Sequence, residues 1–350
     1  MKKNVYILLI SMFLLSYTGC YADTVDVFSS YFAENKQELV EVVNPDYTYT
    51  YKTPDGRIIF NNLEQPLKFD SDLAIYQKRG KYGLVNKNGD FVVEPIYDVI
   101  SDLHDGMRAF LFQDASGIVK IGYFNQKGEI AIEPIPADIH LQSDYSYDYN
   151  FYNGLAMYRD PNTNKYGYIN KSGNLVIPIV YQWAEPFKET LAPVTMGDKY
   201  GYIDTTGQLV LPYQYVFANA FSEGLAAVYD GNAWGYIDHS GNYVIEPQFG
   251  SYEGHDGEDT ANPFIDGYAA VYLGQGMAVS YETNDGKFAL IDKEGNILNG
   301  LEYDSLWLSY DEFGKPYYSA QLDNKSYKLD SKGKILEVED LVEEENQNFY

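Results

Sequence analysis

Cysteine is all but absent: Cys20 is the single one in 350 residues, so the chain folds without a disulfide of its own. Histidine is nearly as scarce. His104, His140, His239 and His255 are scattered without the i, i+4 or paired-cysteine spacing of a zinc site. The G-x-S-x-G element of a serine hydrolase is missing, because Gly250-Ser251-Tyr252-Glu253-Gly254 sets its serine one place early. No phosphate-binding glycine loop stands apart from the repeat described below. Paired carboxylates are no guide among 51 acids, since their separation is a property of the fold. Catalysis therefore has no motif, and neither a cofactor nor a metal is expected. Positive charge is short as well. Lys plus Arg number 25 against 51 Asp plus Glu, a net charge of −26, which repels phosphate backbones and anionic headgroups, so no nucleic-acid partner is expected.

Long apolar runs are also lacking. The longest, Val5 to Leu15 after Lys2 and Lys3, is too short to span a bilayer and reads as an export signal over residues 1–19. Cys20 follows Tyr17-Thr18-Gly19 directly, in the manner of a bacterial lipobox, with Tyr17 where Leu is usual. The reading favoured is lipidation at Cys20; cleavage after Ala22 is the alternative. The expected location is the cell envelope, facing outside the cytoplasm, with membrane attachment only through that N-terminal lipid, or secretion if Cys20 is not lipidated.

Aromatics are abundant, with 36 Tyr, 18 Phe and 3 Trp, a composition that suits pleated, half-buried strands. A repeat organises them. KYGLVNKNGDFVVEP begins at Lys81, KIGYFNQKGEIAIEP at Lys120, KYGYINKSGNLVIP at Lys165, KYGYIDTTGQLVLP at Lys199 and AWGYIDHSGNYVIEP at Ala233. Weaker copies begin at Lys287 and Lys325. An Asx residue opens the central turn of every copy (Asn86, Asn125, Asn170, Asp204, Asp238, Asp292, Asp330), and a Gly closes it three residues later. Alternating apolar runs on either side make each copy a β-hairpin, its Asx side chain capping backbone N–H groups and its Gly taking a left-handed conformation. Three of the seven openers are Asn, and no other ligand recurs at fixed spacing, which argues against a calcium ladder. A third apolar segment precedes most hairpins, as in GLAMY from Gly154 and GLAAVY from Gly224, with Phe187, Phe221 and Phe264 as an aromatic connector. The unit is thus expected to be a three-stranded meander, and prolines 95, 134, 178, 212 and 247 end its last strand.

The Tyr-Gly or Trp-Gly, Tyr-Ile-Asp, x-x-Gly, Val-Ile-Pro pattern resembles the WG-repeat (KWG-repeat) family of bacterial proteins, over roughly Leu73 to Leu336. Trp234-Gly235 is the one literal WG, and the last two copies lose the first Gly. The resemblance implies an all-β repeat domain of exported or surface-associated proteins, with no shared catalytic residues.

The expected fold is all-β: tandem antiparallel meanders that stack because none buries its apolar face alone, as a closed propeller-like array or an open β-solenoid. Residues 20–50 are read as anchor and linker, 51–336 as the repeat domain of about seven copies, and 337–350 as an acidic, solvated tail. Asp23 to Val43 is either a short amphipathic helix or a spacer. Interruptions of the repeat supply the binding candidates: Tyr145, Tyr147 and Tyr149 in DYSYDYNFY, Asp256 and Asp259 in the loop after Gly250, and Trp307 and Tyr310 in the aromatic segment from Leu301. The expected function is a non-catalytic binding or scaffolding module whose partner is an envelope protein or peptide, with a basic one favoured. A carbohydrate-binding surface protein is the second reading, and an envelope hydrolase the third.

Overall fold

The computed structural model describes residues 38–137, 148–252, 261–274, 277–278, 286–311 and 314–340. Two compact units are present, one of Met1–Tyr76 with Gly83–Glu94, the other of Gln77–Tyr82 with Pro95–Tyr350. Both are all-β, and a 3-10 turn at Leu298–Gly300 is the only helical element among the described residues.

The smaller unit contains a three-stranded antiparallel sheet of Val40–Val43, Tyr49–Lys52 and Ile58–Leu63. Its core joins Tyr51, Phe60 and Leu67 to Ala74 and Val85. The Tyr51 hydroxyl donates to Glu41 Oε2 at 2.5 Å and accepts the Leu67 N–H at 2.7 Å. The described end of the Asp23–Val43 segment is therefore a strand rather than a helix. Its β-branched residues pair with Tyr49–Lys52, which outweighs the helical spacing read from the sequence.

The larger unit is a succession of antiparallel sheets of the propeller-blade kind, so the all-β reading holds. Each is named here by its turn-opening Asx. The Asp204 sheet shows the plan: Trp183–Ala184, Leu191–Thr195, Tyr200–Asp204 and Leu209–Tyr215, paired in chain order. The Asn125 and Asp238 sheets follow it, with a first strand of two residues at Val99–Ile100 and Phe217–Ala218. The unit is thus four-stranded where that short strand forms, one more than the pattern indicates. The Asp330 sheet ends in Ile335–Asp340, so the start of the acidic tail is an exposed edge strand.

The Asx turns form as expected. In the Asp204 turn, Oδ1 accepts the N–H groups of Thr206 at 2.9 Å and Gln208 at 3.0 Å, and the Gly207 N–H donates to the Asp204 carbonyl. The connector before the second strand is a tight two-residue turn. Its paired residues, such as Asp105-Gly106, Asn153-Gly154, Glu189-Thr190, Glu223-Gly224 and Asp266-Gly267, all have positive φ, as a type I′ turn requires.

Apolar clusters tie each sheet to the next. Met107, Tyr123 and Ile132 of the Asn125 sheet pack with Ala156 and Ile169 of the Asn170 sheet. The same sharing continues from Asn170 to Asp204, from Asp204 to Asp238, and on through the Asp292 sheet to the Asp330 sheet.

Candidate interaction surface

The Gly of the Tyr-Gly or Trp-Gly pair sets the shape of the outer strand. A Cβ on Gly201 would lie 2.7 Å from the Leu211 carbonyl oxygen, and Gly167 and Gly235 stand equally close to Ile177 and Ile245. The chain makes room with a register shift at the Gly: Tyr200 faces Tyr215 but Tyr202 faces Leu211, so the segment around Pro212 lies opposite Gly201, and a second shift, with Ile203 facing Leu209, leaves Val210 as an extra residue. Val176 and Val244 occupy the same place in their sheets. In the Asp330 sheet Tyr327 stands where the Gly would be, and one register shift remains instead of two.

The bulge has a consequence at the surface. Leu175 with Val176, and Leu209 with Val210, are each 44–49% exposed, and Val244, Ile130 and Ile335 with Leu336 extend the series. Successive outer strands present these residues at one repeat position, and each turn Gly packs on the preceding outer strand: Gly173 on Ile132, Gly207 on Ile177, Gly241 on Leu211 and Gly295 on Ile245. The result is an apolar rim, interrupted by the exposed carboxylates of Glu133 and Glu246.

Two sets of side chains hold the sheets in this order. In four of the hairpins the Tyr that follows the Gly is buried and donates its hydroxyl to a carbonyl of the next sheet: Tyr123 to Tyr149, Tyr168 to Glu185, Tyr202 to Asn219 and Tyr236 to Asn262, at 2.7–2.9 Å. Burial drives all four phenols far above their usual pKa, so they remain donors. Each ring also packs on the connector phenylalanine, with centroids 4.8–5.1 Å apart. On the type I′ turns, acids reach the following sheet. Asp105 accepts the Gly154 N–H, Glu189 that of Gly224 and Glu223 that of Gly267. The residue after the Asx adds to this contact: Lys171 donates to the Asp105 carbonyl, His239 Nε2 lies 3.2 Å from Glu189, and Ser331 bonds Asp266.

The candidates named from the sequence fall in different places. Tyr149 is half-buried, packs against the Met107–Tyr123 cluster and offers its carbonyl to Tyr123. Beside it in sequence, Asp148 accepts the Tyr152 hydroxyl at 2.6 Å, and Lys188 Nζ sits 3.3 Å from the Tyr152 ring centroid. Burial lowers the Lys188 pKa against the pull of Asp148. Trp307 and Tyr310 are both exposed on the strand Ser305–Tyr310. Three residues apart on a strand, they face opposite sides and do not form one site. Tyr145, Tyr147, Asp256, Asp259 and Cys20 lie outside the described residues. Among the described residues no group of three His, Cys, Asp or Glu could hold a metal ion, and no helix is long and apolar enough to cross a membrane. The rim itself escaped the sequence reading, although the paired aliphatics after each turn Gly were its signal.

The Gly-to-carbonyl approach and the bulge opposite it belong to the part of the chain that a family model described as "WG containing repeat" matches, at residues 82–114, 166–200, 200–232 and 234–275. The chain carries WG repeats at four places. No curated protein matches the chain. Several solved structures are similar to it at low identity. Hsv2p of Kluyveromyces lactis has a TM-score of 0.42 at 10% identity, over 79% of this chain and 98% of that one. The WD40 domain of Toxoplasma gondii coronin has 0.36 at 12%, over 79% and 78%. The uncharacterized protein lmo1340 of Listeria monocytogenes EGD-e has 0.37 at 10%, over 90% and 94%. At such identities they say nothing of what the WG repeats here bind.

Proposed function

We propose that this WG-repeat protein is a non-catalytic interaction module of the cell envelope, exported and anchored through a lipid on Cys20, that binds a protein partner along the rim of its outer strands. The observation that carries the reading is the recurrence of solvent-facing aliphatic residues at one repeat position: Leu175 and Val176, Leu209 and Val210, then Val244. Single exposed aliphatics are ordinary on a protein surface; a row of them in register is the mark of an interaction site. The interleaved glutamates and the net charge of −26 suit a partner segment in which apolar residues alternate with Lys or Arg.

The test compares full-length protein with the triple variant Val176→Lys, Val210→Lys, Val244→Lys in pull-downs from envelope extract, washed at low and then high salt. Charged side chains at edge positions leave the buried faces untouched and block docking. A protein held by the wild type, absent from the variant and released by salt supports the rim. Equal retention by both proteins overturns it.

A further inference from the structure

The outward face of the last sheet differs from the rim in its chemistry. Its strands are Ser305–Tyr310, Pro316–Leu322, Lys325–Asp330 and Ile335–Asp340, paired in that order. One face is buried: Leu306, Tyr318, Ala320 and Leu329 pack on Ala270 and Leu290 of the preceding sheet. Alternation sends the intervening residues the other way. Trp307, Ser319 and Lys328 are successive cross-strand partners, and Tyr317 pairs with Ser309 beside them. Gln321 and Ser326 complete the same face one pair further along.

The indole of Trp307 is 46% exposed. Tyr317 lies diagonal to Trp307 across the strand pair, and Lys328 Nζ covers one side of its ring, 4.7 Å from the centroid. The strand pair thus carries an exposed indole and a half-buried phenol among short hydroxyl and amide side chains. Planar rings take the apolar face of a pyranose, while hydroxyls and amides both donate to and accept from its ring substituents. Glu337, the cross-strand partner of Lys328, and Glu339 are exposed on the same face, so its charge is net negative and repels an anionic sugar.

We infer that this face is a binding site for a neutral glycan chain, with Trp307 as its stacking platform and Ser319, Gln321 and Ser326 as polar contacts. The site is independent of the rim and does not require the protein partner proposed above.

Tryptophan emission of the full-length protein, titrated with soluble hexamers of β-1,4-linked glucose and of β-1,4-linked N-acetylglucosamine, tests it. Trp234 is buried and Trp183 half-buried, so Trp307 is the most exposed reporter. A saturable emission change with at least one neutral hexamer is expected, absent with a galacturonic acid hexamer. Calorimetric titration of Trp307→Ala is expected to show binding weakened by about tenfold or more, and Trp307→Phe a smaller loss because the ring is kept. Ser319→Trp, which leaves the buried face alone, fills the platform and should also abolish binding. No response to either neutral hexamer overturns the inference. So does binding that Trp307→Ala leaves intact in a protein with wild-type melting, or an emission change that follows protein concentration rather than glycan, which would make the face a contact between copies.

Discussion

The Glu223 carboxylate accepts the backbone N–H of Gly267, one sheet further along the chain, at 2.9 Å. Lys293 of that following sheet adds an ion pair to the same carboxylate at 3.2 Å and a hydrogen bond to the Glu223 carbonyl at 2.7 Å. A side chain from one type I′ turn thus orders the next type I′ turn and the hairpin beyond it.

Replacing Glu223 by Ala removes both carboxylate contacts at once and leaves the backbone carbonyl to Lys293. The group is one-third exposed, so solvent screens part of its contribution, and a loss of about 1 kcal/mol is expected. Urea denaturation of the wild type and of Glu223→Ala gives the difference. Glu223→Gln keeps an acceptor for Gly267 and should recover part of it. Identical midpoints for all three proteins would show that the contact contributes nothing.

Two backbone substitutions should act in opposite directions. Gly201→Ala sets a Cβ 2.7 Å from the Leu211 carbonyl oxygen, and a destabilisation of about 2–3 kcal/mol is expected from the forced shift. Thr190 has φ 76 where the equivalent residues of neighbouring sheets are Gly. A β-branched residue is strained there, so Thr190→Gly should stabilise by about 1 kcal/mol. Thermal melts check the signs, and a destabilised Thr190→Gly would contradict the strain argument.

Acid should weaken the turns that Asp opens more than those that Asn opens. The Thr206 hydroxyl, aided by backbone N–H groups, holds the Asp204 carboxyl below its usual pKa, and the backbone N–H of Asn242 does the same for Asp238. A pKa depressed in the folded state means stabilisation that is present above the unfolded value, about 3.9 for Asp, and that disappears as pH falls through the folded value. The Asp204→Asn, Asp238→Asn double variant should therefore lose less stability than the wild type below about pH 4. Parallel stability curves down to pH 2 would count against this assignment.

The turns were legible in the sequence because their determinants are local: Asp204 and Gly207 lie three residues apart and meet within one hairpin. The short strand Trp183–Ala184 was not, since two residues cannot display an alternation. Glu189-Thr190 lacks the Asn-Gly signal of a type I′ turn, although Asn153-Gly154 shows it in the sheet before. Contacts between sheets, such as Tyr202 with Asn219, depend on stacking that no spacing along the chain reveals. At the surface, the sequence singled out Trp307 and Tyr310 as aromatic and interrupted. Their three-residue separation already implied opposite faces, and the polar companions of Trp307 come from other strands.

The sharing of each apolar cluster by only two neighbouring sheets bears on how such a chain changes over generations. Gly167, Gly201 and Gly235 recur every 34 residues, so recombination between any two of them removes or adds a whole number of sheets in frame. The newly adjoining surfaces would meet through the same tyrosine–phenylalanine pair that joined the old ones. Duplication in this register therefore keeps the contact that each sheet makes with its neighbour, core cluster included.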